Sequence, residues 1–181
     1  MVEEIDEVVL STDDLRKVTG FAAGCAETVL DLFESVHPDD SRPREAIEAA
    51  WVFARGGRRG KALRDTAWAA LRAAGGADTA PAEHAARAAM AAASAAYLHP
   101  LADAHQVKHV LGAAAHAARA VELAAGGDEG VGAEHLVRAR ERCPAEVVDV
   151  LARFPPAPAG GGRVGQLLRD LDEALRRAVK G

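Results

Sequence analysis

The sequence predicts an all-α fold in which seven or eight short, alanine-rich helices form a single bundle. Three observations lead to this prediction. First, 43 of the 181 residues are alanine and only 4% are aromatic, so the apolar side chains are small and favour helix over strand. Second, apolar residues recur every third or fourth position through most of the chain. Third, glycine or proline stands at nearly every joint between these periodic segments.

The length of the chain suits one domain with one core. We therefore expect a single all-helical domain over residues 11–181, preceded by an extended N-terminal segment over residues 1–10. Consecutive alanine-rich helices are also typical of helical repeats, although the sequence has no fixed period.

The first helix is predicted from its cap and its apolar stripe. Ser11 and Thr12 precede Asp13 and Asp14, which is the pattern of an N-cap followed by acidic residues near the positive end of the helix dipole. The stripe that follows alternates between spacings of three and four: Leu15, Val18, Ala22, Cys25, Val29, Leu32 and Val36. This spacing predicts one continuous helix that ends at His37-Pro38.

Three further helices are predicted over about residues 43–55, 61–74 and 81–98. Pro43 and Pro81 suit a first helical turn, whereas Gly56-Gly57 and Gly75-Gly76 suit helix ends. The third of these helices has almost no large side chain. Its neighbours can approach closely, so we expect it near the middle of the bundle.

The second half of the chain is predicted to hold helices over about residues 101–125, 133–142, 144–153 and 164–179. Val107, Val110, Leu111 and Val121 belong to the aliphatic face of the first of them. The segment PPAPAGGG, residues 155–162, has the composition of a loop.

The charge of the chain is acidic overall and unevenly distributed. A net charge of −5 and an isoelectric point near 5.8 argue against nucleic-acid binding through bulk charge. Residues 1–40 carry 11 acidic and 2 basic side chains, whereas residues 41–72 carry 8 basic and 3 acidic ones. This polarity can steer a charged partner, or it can reflect two solvated faces.

The cellular location of the protein is inferred from its N-terminal sequence, its apolar stretches and its cysteines. The N-terminal sequence MVEEIDEVVL is acidic, and no apolar stretch is long enough for a membrane span. Cys25 and Cys143 are too few for a disulfide framework. We therefore expect a cytoplasmic protein that does not associate with membranes.

Motifs for catalysis are weak. Residues 56–62, GGRRGKA, superficially resemble a phosphate-binding loop, but Arg55 stands where that loop needs its first glycine and Ala62 replaces the hydroxyl residue. Ser94 and Cys143 are the candidate nucleophiles, and neither has a base at a motif spacing. We therefore assign no catalytic residue and no cofactor, and we favour a protein that is not an enzyme.

Histidines are the most informative polar residues. His105, His109 and His116 follow i, i+4, i+11 spacing, which puts them on one face of the predicted helix and opposite its aliphatic stripe. This face can be a solvated or packed polar surface, a binding surface, or a metal site if a third ligand such as Asp103 or His99 joins. We assign no metal, because no metal-binding motif is present. The candidate binding residues are Tyr97, His99, Asp103, His105, His109 and His116.

Four segments carry a family resemblance. The most specific is AAYLHPLA followed by QVKHVLG, residues 95–112, and the others are LRKV with FAA (15–23), RPREAI (42–47) and ALR (62–64). Together they resemble the Imm-5-like family of putative bacterial immunity proteins, common in actinobacteria. The resemblance implies an all-helical fold and a protein that binds and neutralises a toxin, and it transfers no catalytic residue.

Three hypotheses about function follow. An immunity protein could bind a basic toxin through an acidic surface formed by Glu27, Asp31, Glu34, Asp39 and Asp40. Alternatively, the chain binds a small molecule, or is an enzyme, through the face that holds His99, His105 and His109, with or without a metal. The third hypothesis is a scaffold whose alanine faces form a homodimer.

Overall fold

The computed structural model describes residues 6–178, and over these residues the protein is all-α, as the sequence predicts. Nine α-helices occur in this range: α1 (Thr12–Glu27), α2 (Leu30–Glu34), α3 (Arg42–Ala54), α4 (Lys61–Gly75), α5 (Ala80–Ser94), α6 (Val107–Ala124), α7 (Glu129–Arg142), α8 (Ala145–Ala152) and α9 (Gly162–Ala178). Two 3₁₀ turns, Ala95–Tyr97 and Ala104–Gln106, connect α5 to α6. No described helix has the length and apolar character that a membrane crossing requires.

Helix α5 lies at the centre of the bundle, as its composition predicts. It packs against α1, α2, α3, α4 and α6, and its closest neighbours are α4 and α6. Eight of its alanines are buried: Ala82, Ala85, Ala86, Ala88, Ala89, Ala91, Ala92 and Ala93. Because a methyl group adds little bulk, five helices can surround α5 at short range.

The predicted first helix is wrong in its extent, because the chain breaks between α1 and α2. The Thr28 hydroxyl donates a hydrogen bond of 2.6 Å to the carbonyl of Cys25 and lies 3.1 Å from Nε2 of His135 on α7. Val29 leaves the helical region, at φ −127° and ψ 4°. After this break the chain buries Leu30 and Phe33 and leaves Val36, a member of the predicted stripe, exposed. A tertiary contact therefore overrides the local periodicity.

The helix predicted from residue 101 begins later, at Val107. The residues before it pair with the N-terminal segment instead: Val8 donates its N–H to the carbonyl of Pro100, and Ala102 donates to Asp6, at 2.8 and 2.9 Å. Two other boundaries differ, since α5 is helical only to Ser94 and α7 begins at Glu129, where Asp128 caps it. Residues 1–5 of the predicted extended segment, and residue 179 of the predicted last helix, lie outside the described residues.

A buried carboxylate joins the C-terminal helices. The Glu122 side chain is fully buried at the end of α6 and accepts hydrogen bonds from Arg119 at 2.9 Å and from Nε of Arg163 on α9 at 3.1 Å. Burial raises the pKa of the Glu122 carboxyl, but the two arginines outweigh burial and hold that pKa below its ordinary value. Gly132 of α7 packs so closely that a methyl group there would overlap Glu122. The contact therefore fixes α6, α7 and α9 together.

Candidate functional site

Two of the predicted binding residues line one cavity, which we call the Trp68 groove. It has a volume of about 290 Å³ and lies between α4, α5 and α6. Its lining comprises Arg64, Ala67, Trp68, Leu71, Met90, Ser94, Tyr97 and His109. An adjoining pocket of about 430 Å³, here called the basic pocket, is lined by Arg59, Gly60, Lys61, Arg64, Tyr97, Leu98, His99 and Pro100. Because both linings contain Arg64 and Tyr97, the two cavities form one continuous surface.

The end of α5 places Tyr97 between the two cavities. The 3₁₀ turn after Ser94 directs the chain toward the loop before α4, where the Tyr97 hydroxyl donates to the carbonyl of Gly60 at 2.9 Å. The guanidinium groups of Arg64 and Arg59 lie 4.9 and 5.5 Å from the centre of the Tyr97 ring. These are cation–π distances, so the ring holds both cations at the surface.

Trp68 extends this surface by one helical turn. It follows Arg64 by four residues on α4, which places both side chains on the same side of the helix. Trp68 is 57% exposed, an unusual environment for so large an apolar side chain. The groove and the adjoining basic pocket therefore combine an exposed indole with two arginines and a tyrosine.

His109 forms a neutral wall of the Trp68 groove. Burial is the main cause that lowers the pKa of its imidazole to about 4; the charges of Lys108 and His99 act in the same direction, and a backbone hydrogen bond at Ser94 acts in the opposite direction. The ring is therefore uncharged near neutral pH. A base with this pKa is nearly all deprotonated at pH 7 and is a poor general acid there.

The other predicted residues lie elsewhere. His99 lines the basic pocket, but Asp103 and His105 line neither cavity. His105 Nδ1 lies 2.9 Å from Asp103 Oδ1; the His105 side chain is largely exposed and that of Asp103 is half-buried. Asp103 also accepts from the backbone N–H of His105, and this bond lowers the pKa of the Asp103 carboxyl. This pair caps the turn before α6, so His105 does not share a helix with His109 as the spacing suggests.

His116 forms a separate pair with His84 of α5. Their Nδ1 atoms are 3.1 Å apart, so one ring donates and the other accepts. Burial lowers the pKa of His116 to about 3 and also lowers that of His84. Among residues 6–178, no group of three histidine, cysteine or acidic side chains is arranged to hold a metal ion.

The candidate nucleophiles gain no activation from their surroundings. Burial raises the pKa of the Cys143 thiol to about 12, and it raises the pKa of the Cys25 thiol to the same value. Both are therefore protonated at neutral pH, and the thiol form is the unreactive one. The Ser94 hydroxyl donates toward the sulfur of Met90 at 3.5 Å.

The acidic surface suggested by the sequence is largely engaged within the chain. Glu34 accepts two hydrogen bonds from Arg44 at 2.7 and 2.6 Å. Asp40 likewise accepts two hydrogen bonds from Arg42, at 2.8 and 2.6 Å. Glu27 accepts from the indole N–H of Trp51 at 2.7 Å.

Sequence reasoning missed a second cavity, here called the Trp51 groove. It has a volume of about 540 Å³ and lies where α1, α3 and the junction of α7 with α8 meet. Its lining comprises Asp13, Arg16, Lys17, Gly20, Phe21, Gly24, Cys25, Trp51, Ala54, Arg55, Arg142 and Pro144. The sequence feature that could have predicted this cavity is the pair Gly20 and Gly24, which lie four residues apart on one side of α1.

A comparison with protein families gives one match. The model of the family described as Imm-5 like putative immunity protein matches residues 9–146, a range that contains every lining residue of the Trp68 groove and of the Trp51 groove. No curated protein and no solved structure matches the chain.

Proposed function

Because the chain belongs to the Imm-5 like putative immunity protein family, we propose that it binds and neutralises a cognate protein toxin and acts by binding rather than by catalysis. We also propose that it acts in the cytoplasm of an actinobacterium. The chemistry of the Trp68 groove is the observation that supports a protein partner most directly.

The groove has the composition of an interface centre. Tryptophan, tyrosine and arginine are enriched among the energetically dominant side chains of protein interfaces. Here Trp68, Tyr97, Arg59 and Arg64 lie together, and the linings of the groove and of the basic pocket contain neither aspartate nor glutamate. Tyr97 already holds both arginines, so less side-chain freedom is lost when a partner binds.

The basic groove suits a toxin better than the acidic surface does. Three of the acidic side chains already accept hydrogen bonds within the chain: Glu27, Glu34 and Asp40. A toxin that bound to them would have to break these hydrogen bonds. Aspartate and glutamate are also depleted at interface centres. We therefore place the toxin on the Trp68 groove and regard the acidic surface as the competing site.

The partner that fits this groove is an acidic segment of the toxin with an apolar side chain at its centre. The apolar side chain would enter between Trp68, Leu71 and Met90, where His109 adds no charge. Carboxylates on the partner would pair with Arg59 and Arg64 at the rim. Association should therefore slow as salt is raised, since salt screens charges at the rim.

The enzyme hypothesis has less support. Its acid–base residue in the groove would be His109, whose pKa of about 4 leaves little protonated ring at neutral pH. His99, the other candidate, is exposed at the rim of the basic pocket.

The test uses the toxin encoded by the gene beside this one, co-expressed with the full chain. The unmodified chain should restore growth and form a complex that isothermal titration detects. Trp68→Ala and Arg64→Glu should each weaken the complex by about tenfold or more. Arg140→Glu, at an exposed residue of α7 outside both linings, and Val52→Ala, at a residue 64% exposed, are matched controls that should bind normally.

Two outcomes would overturn the proposal. If the chain neither rescues growth nor binds this toxin, the immunity role is wrong. If Trp68→Ala and Arg64→Glu bind normally while Asp31→Lys and Asp39→Lys abolish binding, the toxin uses the acidic surface and our choice of groove is wrong.

A further inference from the structure

The Trp51 groove owes its shape to two missing side chains. A Cβ atom at Gly24 would lie 3.9 Å from Trp51, and one at Gly20 would lie 3.6 Å from the same ring. Any larger side chain at either position would therefore cover the indole. With glycine at both positions, one face of Trp51 stays open to a cavity of about 540 Å³. This volume falls within the range of small-molecule sites, roughly 300–1,000 Å³.

Part of the lining is apolar, and we call this part the floor of the groove. Trp51 and Phe21 contribute aromatic rings, and Ala54 contributes a methyl group. The indole N–H of Trp51 is already bonded to Glu27, so the ring presents only its apolar surface to the cavity. A planar or aliphatic body could therefore bury its surface here without leaving a polar group unpaired.

The rim of the groove is cationic. Arg16, Lys17, Arg55 and Arg142 line it, against one acidic side chain, Asp13. Arg16 pairs with Asp13, and Lys17 pairs with Glu146 outside the groove.

Two of these cations are available to a ligand. Neither Arg55 nor Arg142 forms an ion pair with any residue that the structure describes. Arg55 lies over the Trp51 ring at 4.9 Å, so its charge stands directly beside the apolar floor. Each of these guanidinium groups can donate charge-assisted hydrogen bonds to an acidic group in the groove.

Arg16 is less available to a ligand than these two arginines. Its guanidinium donates hydrogen bonds to Asp13 at 3.2 Å and to the carbonyl of Gly56 at 3.1 Å. Its Nε atom is buried, so a molecule in the groove does not contact it.

We propose that the Trp51 groove binds a small organic anion with an apolar body, whose acidic group pairs with Arg55 and Arg142 and whose body lies on Trp51. The class comprises aryl and medium-chain carboxylates and sulfonates. None of the residues that line the Trp68 groove takes part, so this proposal does not depend on toxin binding.

The experiment uses the only two tryptophans in the chain. In the Trp68→Phe variant, Trp51 is the sole source of indole fluorescence. This protein is titrated with 1-anilinonaphthalene-8-sulfonate, and decanoate is then added as a competitor. We expect saturable quenching with one site, displacement by decanoate, and binding at least about tenfold weaker for the uncharged analogue N-phenyl-1-naphthylamine.

Variants of the groove locate the site. Gly24→Leu should abolish binding because its side chain covers Trp51, and it should fold because leucine favours helix more than glycine does. Arg55→Gln and Arg142→Gln should each weaken binding by about tenfold, whereas Arg58→Gln and Arg140→Gln, which lie outside the lining, should not. Circular dichroism checks that each variant is folded.

Several results would overturn the proposal. The first is that neither anion binds at concentrations below about 1 mM. The second is that the uncharged analogue binds as tightly as the anions. The third is that the Arg55→Gln, Arg142→Gln double variant binds the anions with unchanged affinity. Unchanged binding by a folded Gly24→Leu variant would also overturn it. If Gly24→Leu does not fold, Gly24→Ala narrows the same opening, and the double variant decides the result by itself.

Discussion

Helix α6 accommodates polar side chains inside the bundle in two opposite ways. Near its C-terminal end, Glu122 is charged and accepts hydrogen bonds from Arg119 and Arg163. Earlier in the helix, His109 and His116 are kept neutral by burial, with pKa values of about 4 and about 3. The C-terminal end therefore satisfies its polar group with counter-ions, whereas the two histidines carry no charge.

This difference separates a structural region from a region that can bind. The Glu122 contacts tie three helices together and leave no free acceptor for a ligand. The His109 ring instead forms the wall of a groove whose cations and indole still face solvent. Substitutions should therefore reduce stability most at the Glu122 end, and they should reduce binding more than stability at the groove.

The largest effect is expected for Gly132→Ala. The added methyl group overlaps Glu122, and the carboxylate cannot move without leaving its arginines. Overpacking combined with a disturbed buried ion pair should lower the free energy of unfolding by about 3 kcal/mol or more. Urea denaturation measures this loss.

Gly75→Ala is the matched control for Gly132→Ala. Nothing lies within 4 Å of a Cβ at Gly75, so this variant should be neutral or slightly stabilising. Equal stability of the two variants would show that the Glu122 contact does not hold the helices together.

A smaller loss is expected for Glu122→Gln. The amide keeps a hydrogen bond to Arg163 but loses the negative charge between two arginines, so unfolding should become easier by about 2 kcal/mol. Glu134→Gln is the control, because its pair with Arg138 is about 60% exposed on both sides and should contribute within about 0.5 kcal/mol. If Glu122→Gln and Glu134→Gln lose similar amounts of unfolding free energy, the buried Glu122 pair stabilises the fold no more than an exposed pair does.

The sequence predicts the regular parts of this molecule and misses its long-range contacts. Glycine and proline mark most helix ends, and alanine content predicts the central helix α5. The break at Thr28 lies against His135, 107 residues away, and the Glu122 pair with Arg163 spans 41 residues. No local pattern contains this information.

The residues of the candidate site also divide into those that local sequence predicts and those that only long-range packing brings in. Tyr97, His99 and His109 are close in sequence, and local spacing is enough to group them. Arg64 and Trp68 lie about thirty residues earlier, and they join the groove only because α4 packs on α5. Asp103 and His105 are also close in sequence, but they form a cap whose hydrogen bonds are local.

Acid should affect the two histidines of α6 before it affects Glu122. A histidine whose pKa is lowered by folding binds its proton in the unfolded chain first, so its contribution to stability is full above about pH 6.5 and falls as the pH drops toward the folded pKa. Between pH 6.5 and 5, His109 and His116 should each reduce the free energy of unfolding by about 1.5 kcal/mol.

Urea denaturation at several pH values measures this slope. His109→Asn and His116→Asn should each flatten it, because asparagine takes up no proton in this range. The groups facing these rings are His84 and Arg87 for His116, and His99 and Lys108 for His109. Carboxyl groups with lowered pKa values, such as that of Glu122, reduce the free energy of unfolding only at lower pH, where they become protonated. An unchanged slope in both variants would contradict the neutral state of these rings.

The smallest change in stability is expected at the groove, for Trp68→Ala. The indole is 57% exposed, so its removal should change the free energy of unfolding by less than about 1 kcal/mol. Val52→Ala, at a residue 64% exposed, should give a similar small change and is the control in the same urea assay. A loss above about 2 kcal/mol for Trp68→Ala would show that the indole packs the bundle. If stability stays constant while affinity for the toxin falls at least about tenfold, the exposed indole serves a partner rather than the fold.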